Sequence, residues 1–237
     1  MKRSSSTTLF CFSPPVMLAT MIIELALAAY ALWRYRADTL VRIFVAMFVF
    51  LAIFQWAEYN ICEGAWGLSS LDWARVGFAS ITILPALGLH AILVIAGVRK
   101  RHWIYAVYAV AAIFMAFFLF VDRGMGSQVC QGNYVIFDIM PDAVLGYTLY
   151  YYGLEIIACA LALYFARRIR VRKTKIALYG MAASYLVLLI PTTTVTLIDP
   201  STMAGIPSIM CGFAVFTALI IGFVVLPRVA HKRLAKS

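Results

Sequence analysis

The sequence predicts an all-α integral membrane protein, a seven-transmembrane helix bundle with its N-terminus outside and its C-terminus inside. Three observations carry this reading. Hydrophobic residues make up 64% of the chain and charged residues 13%, whereas a soluble domain is about half apolar and a quarter charged. Seven apolar runs alternate with polar turns, and a helix needs roughly 20 apolar residues to cross a bilayer core. The basic residues, finally, gather on alternate turns. Mean hydropathy is +0.92, and residues 1–237 read as a single membrane domain.

The expected spans are 12–33, 40–62, 74–98, 103–121, 143–166, 176–198 and 206–227. The first follows "MKRSSSTTLF", whose Lys2 and Arg3 resemble the start of a signal peptide. "SPPV" interrupts the apolar stretch and no small-residue cleavage site precedes Trp33, so it is read as a retained helix. The second ends in "FQWAEYNICEGAW". The third contains Pro85, and the fourth opens on Trp103 and Tyr105. The longest outer loop, "DRGMGSQVCQGNYVIFDIMPD", separates the fourth from the fifth; its "NYVIF" core reads as a strand or a surface segment. The sixth ends in "LIPTTTVTLIDP", where Pro191 removes a backbone donor and the threonines act as packing glue. The seventh is "IPSIMCGFAVFTALIIGFVVLP". Alternating strand patterns are absent, and only helices or closed barrels satisfy the backbone in lipid. Trp33, Trp56, Trp66, Trp73, Trp103 and Tyr105 near span ends fit an interfacial belt.

Orientation follows from lysine and arginine. With the N-terminus outside, sixteen basic residues fall on the inner side, clustered at 34–42, 99–101, 167–175 and 228–236. Lys2, Arg3, Arg75 and Arg123 complete the twenty. This split obeys the positive-inside rule and implies a multi-pass protein of the inner (plasma) membrane. The net charge of +10 lies in short clusters between apolar runs, which argues for anionic lipid at the inner face and against nucleic acid.

Cys11, Cys62, Cys130 and Cys211 fall at or near the outer face, and Cys159 inside the fifth span. An oxidising exterior permits disulfides there. Cys62 with Cys130 would tie the second helix to the long loop, and Cys130 with Cys211 would tie that loop to helix seven. Both pairings stay open.

Charge in hydrocarbon costs several kcal/mol, so intramembrane ionisable groups are functional candidates. They are Glu24, Glu58, His90 and Glu155. Each carboxyl either lines a ligand pocket or proton path, or sits neutral and hydrogen-bonded to a neighbour. Gln55, Glu58, Tyr59 and Cys62 recur at the spacing of one helix face. Glu58 lies about one turn, roughly 6 Å, inside Cys62, with Arg75 as the expected partner. His90 has no second histidine in any span and reads as a hydrogen-bonded core residue.

Helix seven has no lysine for a retinal Schiff base. Bis-histidine haem ligation lacks a second histidine, and no CxxC pair or histidine cluster points to a metal. Neither a GxSG-type nucleophile, an HExxH nor a Walker motif occurs, so no catalytic constellation argues for an enzyme, and no cofactor is expected.

The stretch "ELALAAYALWRYRADTLVRIFVAMFVFLAIFQWAEYN", followed by "LDWARVGFASITILPALGLHAI" and "GVRKRHW", resembles the N-terminal seven-transmembrane sensory region of bacterial histidine kinases. The likeness covers roughly residues 15 to 125. It rests on a basic turn after the first helix, Trp56 followed by Glu58, and a W-x-R element at Trp73 and Arg75. The resemblance implies a sensor of a ligand or membrane condition, with Trp56, Glu58, Trp73, Arg75 and Pro85 as pocket or support positions. No kinase, PAS or cyclase module follows the last span in this sequence, so the expected readout is either a separate signalling protein or a module of a longer chain of which this one is a piece. The alternatives are a proton-coupled carrier using Glu24 and Glu155, and an accessory subunit of a membrane complex.

Overall fold

The computed structural model describes residues 14–231, apart from 65–66, 99–101, 122–123 and 132–133. Cys11, Trp66, Arg123 and the basic residues at 99–101 therefore lie outside the described residues, as do those before residue 14 and after 231. In chain order the elements are α1 (Pro14–Arg34), α2 (Thr39–Glu63), α3 (Ser70–Thr82), α4 (Leu84–Ile95) and α5 (Ile104–Phe120). Strands β1 (Met125–Gln131) and β2 (Tyr134–Ile139) follow, then α6 (Pro141–Arg168), α7 (Arg172–Ile198), α8 (Ile206–Ile220) and α9 (Leu226–Val229). Among the described residues, six helical stretches are long and apolar enough to cross a membrane. Helices α3 and α4 together form one of them, Ser70–Ile95, while α5 is apolar but shorter, at 17 residues. This is the architecture of a multi-pass membrane protein.

Local chemistry sets the ends. Asp38 caps α2 by accepting from the Val41 amide at 3.0 Å. Gly64 closes that helix at φ 68°, a left-handed conformation that suits a residue without a Cβ. Ser69 and Asp72 form a reciprocal capping box at the start of α3. The third span breaks between Thr82 and Leu84 because Pro85 has no N–H and its ring crowds the carbonyl four residues back. Helix α6 clasps the break: the Tyr150 hydroxyl donates to the Thr82 carbonyl at 2.7 Å, and Thr82 Oγ1 shares a 3.1 Å hydrogen bond with Tyr147 Oη. At Pro191, by contrast, α7 continues. Thr192, Thr194 and Thr196 donate to carbonyls of their own helix at 2.6, 2.7 and 3.0 Å, so this threonine run braces α7 itself.

The long loop is an antiparallel hairpin in which Cys130 pairs with Val135 and Gln131 with Tyr134. The two-residue period of a strand puts Val135 and Phe137 on its inner face, both buried. Phe137 packs against Phe78 and Phe54, with ring centroids 5.0 and 5.9 Å apart. A Cys62–Cys130 disulfide fastens the hairpin to the end of α2, and the Val135 amide donates to Ser208 Oγ of α8 at 3.2 Å. Of the two pairings open from sequence, this is the one formed; Cys211 and Cys159 are buried thiols.

Two apolar clusters fill the bundle. One, around Phe54, Phe78, Phe118 and Tyr147, underlies the hairpin; the other, around Phe44, Phe48, Ile92 and Met181, fills the end with the basic turns. Helix α6 packs on α4 and α7, while α8 packs on α7, α1 and α2. Close to the hairpin, that arrangement leaves space between α6 and the start of α8.

Candidate functional site

The interior holds polar side chains of two kinds. Hydroxyls mostly satisfy themselves on a carbonyl three or four residues back, as Ser80, Thr82 and Ser184 do. Others lock helices together: Gln55 Nε2 donates to the Cys211 carbonyl and Thr217 Oγ1 to the Ser184 carbonyl, each at 3.0 Å. The carboxyls behave differently. Glu24, Glu58 and Glu155 are 0%, 1% and 3% exposed, yet both oxygens of Glu24 and one each of Glu58 and Glu155 have no hydrogen-bond partner. The Tyr185 hydroxyl is likewise unpartnered. Native interiors rarely leave such groups unsatisfied, so each orphan calls for an explanation.

These orphans are neighbours. Glu24 and Glu58 lie within electrostatic reach of each other, and all three carboxyls act on the Cys211 thiol of α8. Ser208, one turn before Cys211, is the hydrogen-bond partner of Glu58. Three acidic groups from α1, α2 and α6 thus converge on one stretch of α8.

Two neighbouring spaces with shared lining residues adjoin this stretch. The larger is a cleft of about 350 Å³ beneath the hairpin, walled by Phe137 and Ile139 of β2, Tyr147, Tyr151 and Tyr152 of α6, Met203 in the turn before α8, and Pro207 and Met210 of α8. Its volume falls in the range of small-molecule sites, roughly 300–1,000 Å³. Deeper in the bundle is a cavity of about 40 Å³ lined by Glu155, Tyr185, Ser184, Thr217 and Cys211. At roughly 10–15 Å³ per water, it has room for a few waters or one small polar group. Tyr151 and Met210 line both spaces and mark where they adjoin.

Helix periodicity explains the wall. Tyr147, Tyr151 and Glu155 are four residues apart and stack along one face of α6. The Tyr147 and Tyr151 ring centroids are 5.7 Å apart, and those of Tyr151 and Tyr152 are 6.3 Å apart. The sequence reading singled out Glu155 but missed the tyrosines one and two turns before it. Their i, i+4, i+8 spacing was the available signal.

Of the sequence-derived residues, Glu155, Pro85 and Cys211 line the smaller cavity; Glu24, Trp56, Glu58, Tyr59, Trp73, Arg75 and His90 line neither space. Trp56 and Tyr59 stack on each other with centroids 5.8 Å apart at 17°. Trp73 Nε1 is buried without a hydrogen-bond partner. Arg75 is half-buried on α3 and its charge acts on Asp72. His90 Nδ1 shares a 3.0 Å hydrogen bond with Tyr108 Oη, the two rings meeting edge to face. Among the described residues, no group of three or more His, Cys, Asp or Glu is placed to hold a metal ion.

In comparisons with known proteins, no family model and no curated protein matched this chain.

Proposed function

We propose that this protein is a seven-span sensor of the plasma membrane that binds a small ligand in the cleft between α6 and α8. Its N-terminus and hairpin face outward, and occupancy is passed to a partner at the basic inner face. The observation that carries the reading is the 350 Å³ cleft of apolar and tyrosine side chains next to the buried carboxyl of Glu155, one of whose oxygens has no hydrogen-bond partner. Pockets of that size, mostly apolar with a few convergent polar groups, are the usual form of a ligand site. The orientation draws support from the Cys62–Cys130 bond, which suits an oxidising compartment. On this reading α5, at 17 residues, is the seventh span, extended by the interfacial turn at Trp103.

The test is native mass spectrometry of protein released from its own membranes, comparing wild type with Ala204→Phe, which fills the cleft. A small molecule should accompany the wild type and be lost from the variant, with thermal stability unchanged. If neither carries a ligand, and no compound library shifts the wild-type melting temperature, the sensor reading fails.

The three converging carboxyls favour a second reading, a proton-coupled carrier. Proton-driven flux in proteoliposomes that vanishes in Glu155→Gln would select it.

A further inference from the structure

We infer that the ligand is a small organic ammonium, its apolar body in the tyrosine-walled cleft and its cationic head beyond Tyr151 and Met210 against Glu155. The inference deepens the sensor reading and rests on the cleft being a ligand site. It begins with a mismatch of charge. Glu155 is 3% exposed, one of its oxygens has no hydrogen-bond partner, and it lines a cavity rather than packed side chains. A buried carboxylate is strongly stabilised by a cation that arrives with donors to give. A protonated amine supplies both the charge and up to three N–H groups.

The surroundings are suited to the same head group. Tyr151 and Tyr185 line the same cavity as Glu155, and Tyr147 and Tyr152 line the adjoining cleft. Aromatic rings attract cations, so the two tyrosines of the cavity suit a cationic head. The Tyr185 hydroxyl, buried and unpartnered, offers an acceptor in the same cavity. Size sorts the two ends: about 40 Å³ accepts an ammonium head and little more, while about 350 Å³ accepts the body.

The cleft also says what the ligand lacks. None of its described lining residues is charged, so a carboxylate on the body would be desolvated without a counter-ion. The site therefore discriminates against amino-acid zwitterions and for monoamines.

The experiment uses the full chain in lipid nanodiscs at pH 7, titrated with 2-phenylethylamine, its neutral isostere 2-phenylethanol and zwitterionic phenylalanine. Binding is read by calorimetry and thermal shift. The amine should bind about tenfold or more tightly than the alcohol, a gap of at least 1.4 kcal/mol, and phenylalanine should bind more weakly than the amine. Glu155→Gln should lose the preference of amine over alcohol, whereas Glu24→Gln, whose carboxyl lies off the cavity, should keep it. The amine-to-alcohol ratio on the unmodified protein carries the test even if Glu155→Gln fails to fold. Equal binding of amine and alcohol, unchanged by Glu155→Gln, overturns the ammonium inference while leaving the cleft a ligand site. No binding by any of the three overturns the inference, and a failed library screen would separately remove the sensor reading.

Discussion

Gly88 provides a sharp test of how α7 seats against the third span. A Cβ built at Gly88 would overlap the Tyr185 hydroxyl, with the ring carbon Cζ at 3.2 Å. Tyr185 is nearly fully buried and its hydroxyl is unpartnered, so it has little freedom to swing away. Gly88→Ala should therefore act as an overpacking substitution, costing about 1–3 kcal/mol. For a chain of this size that corresponds to roughly 2–12 °C in melting temperature. Tyr185→Phe, which removes only the colliding oxygen, should be near neutral alone because the hydroxyl forms no hydrogen bond to lose.

The double variant decides the matter. With phenylalanine at 185 the nearest obstacle is the ring edge at 3.2 Å, which must yield by a few tenths of an ångström. Most of the loss should return, giving a coupling of about 1–2 kcal/mol. Gly153→Ala is the control: nothing lies within 4 Å of that added methyl, and helix propensity favours alanine by roughly 0.5–1 kcal/mol. Melting would be followed by fluorescence-detected size exclusion in one lipid mixture. If Gly88→Ala is tolerated, or if the double variant melts at the sum of the single effects, Tyr185 does not occupy the space beside Gly88. The cavity geometry built on it would then be wrong.

Two further outcomes follow from the same contacts. Replacing Cys62 or Cys130 by serine opens a loop with a sequence separation of 68, for which chain entropy gives an upper figure of about 4 kcal/mol. Each single change and the pair should lower the melting temperature equally, and non-reducing peptide maps of the wild type should show the linked peptides. Tyr150→Phe removes the donor to the Thr82 carbonyl, a loss of about 1–3 kcal/mol if that carbonyl stays buried; Pro85→Ala, which allows a continuous helix, should shrink that loss.

The apolar runs were legible because lipid dictates their length: each expected boundary lies within a few residues of a helix end, as at 40–62 against Thr39–Glu63. Carboxyl burial was legible too, since Glu24 and Glu155 interrupt apolar runs and Glu58 lies about one turn inside the end of another. What could not be read was which element each carboxyl meets. Ser208 lies far along the chain from Glu58, and only the packing of α8 against α2 makes them partners. The tyrosines of α6 were hidden differently: in "YTLYYYGLE" they pass for ordinary membrane aromatics until Glu155 is recognised as the next position of the same face. The hairpin was half visible, through the short apolar "NYVIF" stretch that reads as a strand or a surface segment, but its register depends on the pairing with β1.

The cleft is also placed where occupancy has mechanical leverage, as the proposed sensor requires. Its α6 wall is anchored to the third span through Tyr147 and Tyr150 at the Pro85 break. Its α8 wall is anchored elsewhere, to α2 through Gln55 and to the hairpin through Ser208. The two walls therefore belong to differently anchored groups of helices, joined through α7, which packs on α6 and α8, and through α2, which packs on α3 and α4. A ligand that touches Tyr151 and Met210 together bridges those groups. It can shift their spacing only by as much as it prefers one spacing over the other. At the far end, the same two groups carry Arg167 and Arg168 on α6 and Arg228 on α9. On the proposed orientation, a change of spacing at the cleft would thus reach the inner face as a change in the separation of fixed positive charges, a signal that the proposed acidic partner or anionic lipid could read without any movement of the loops between.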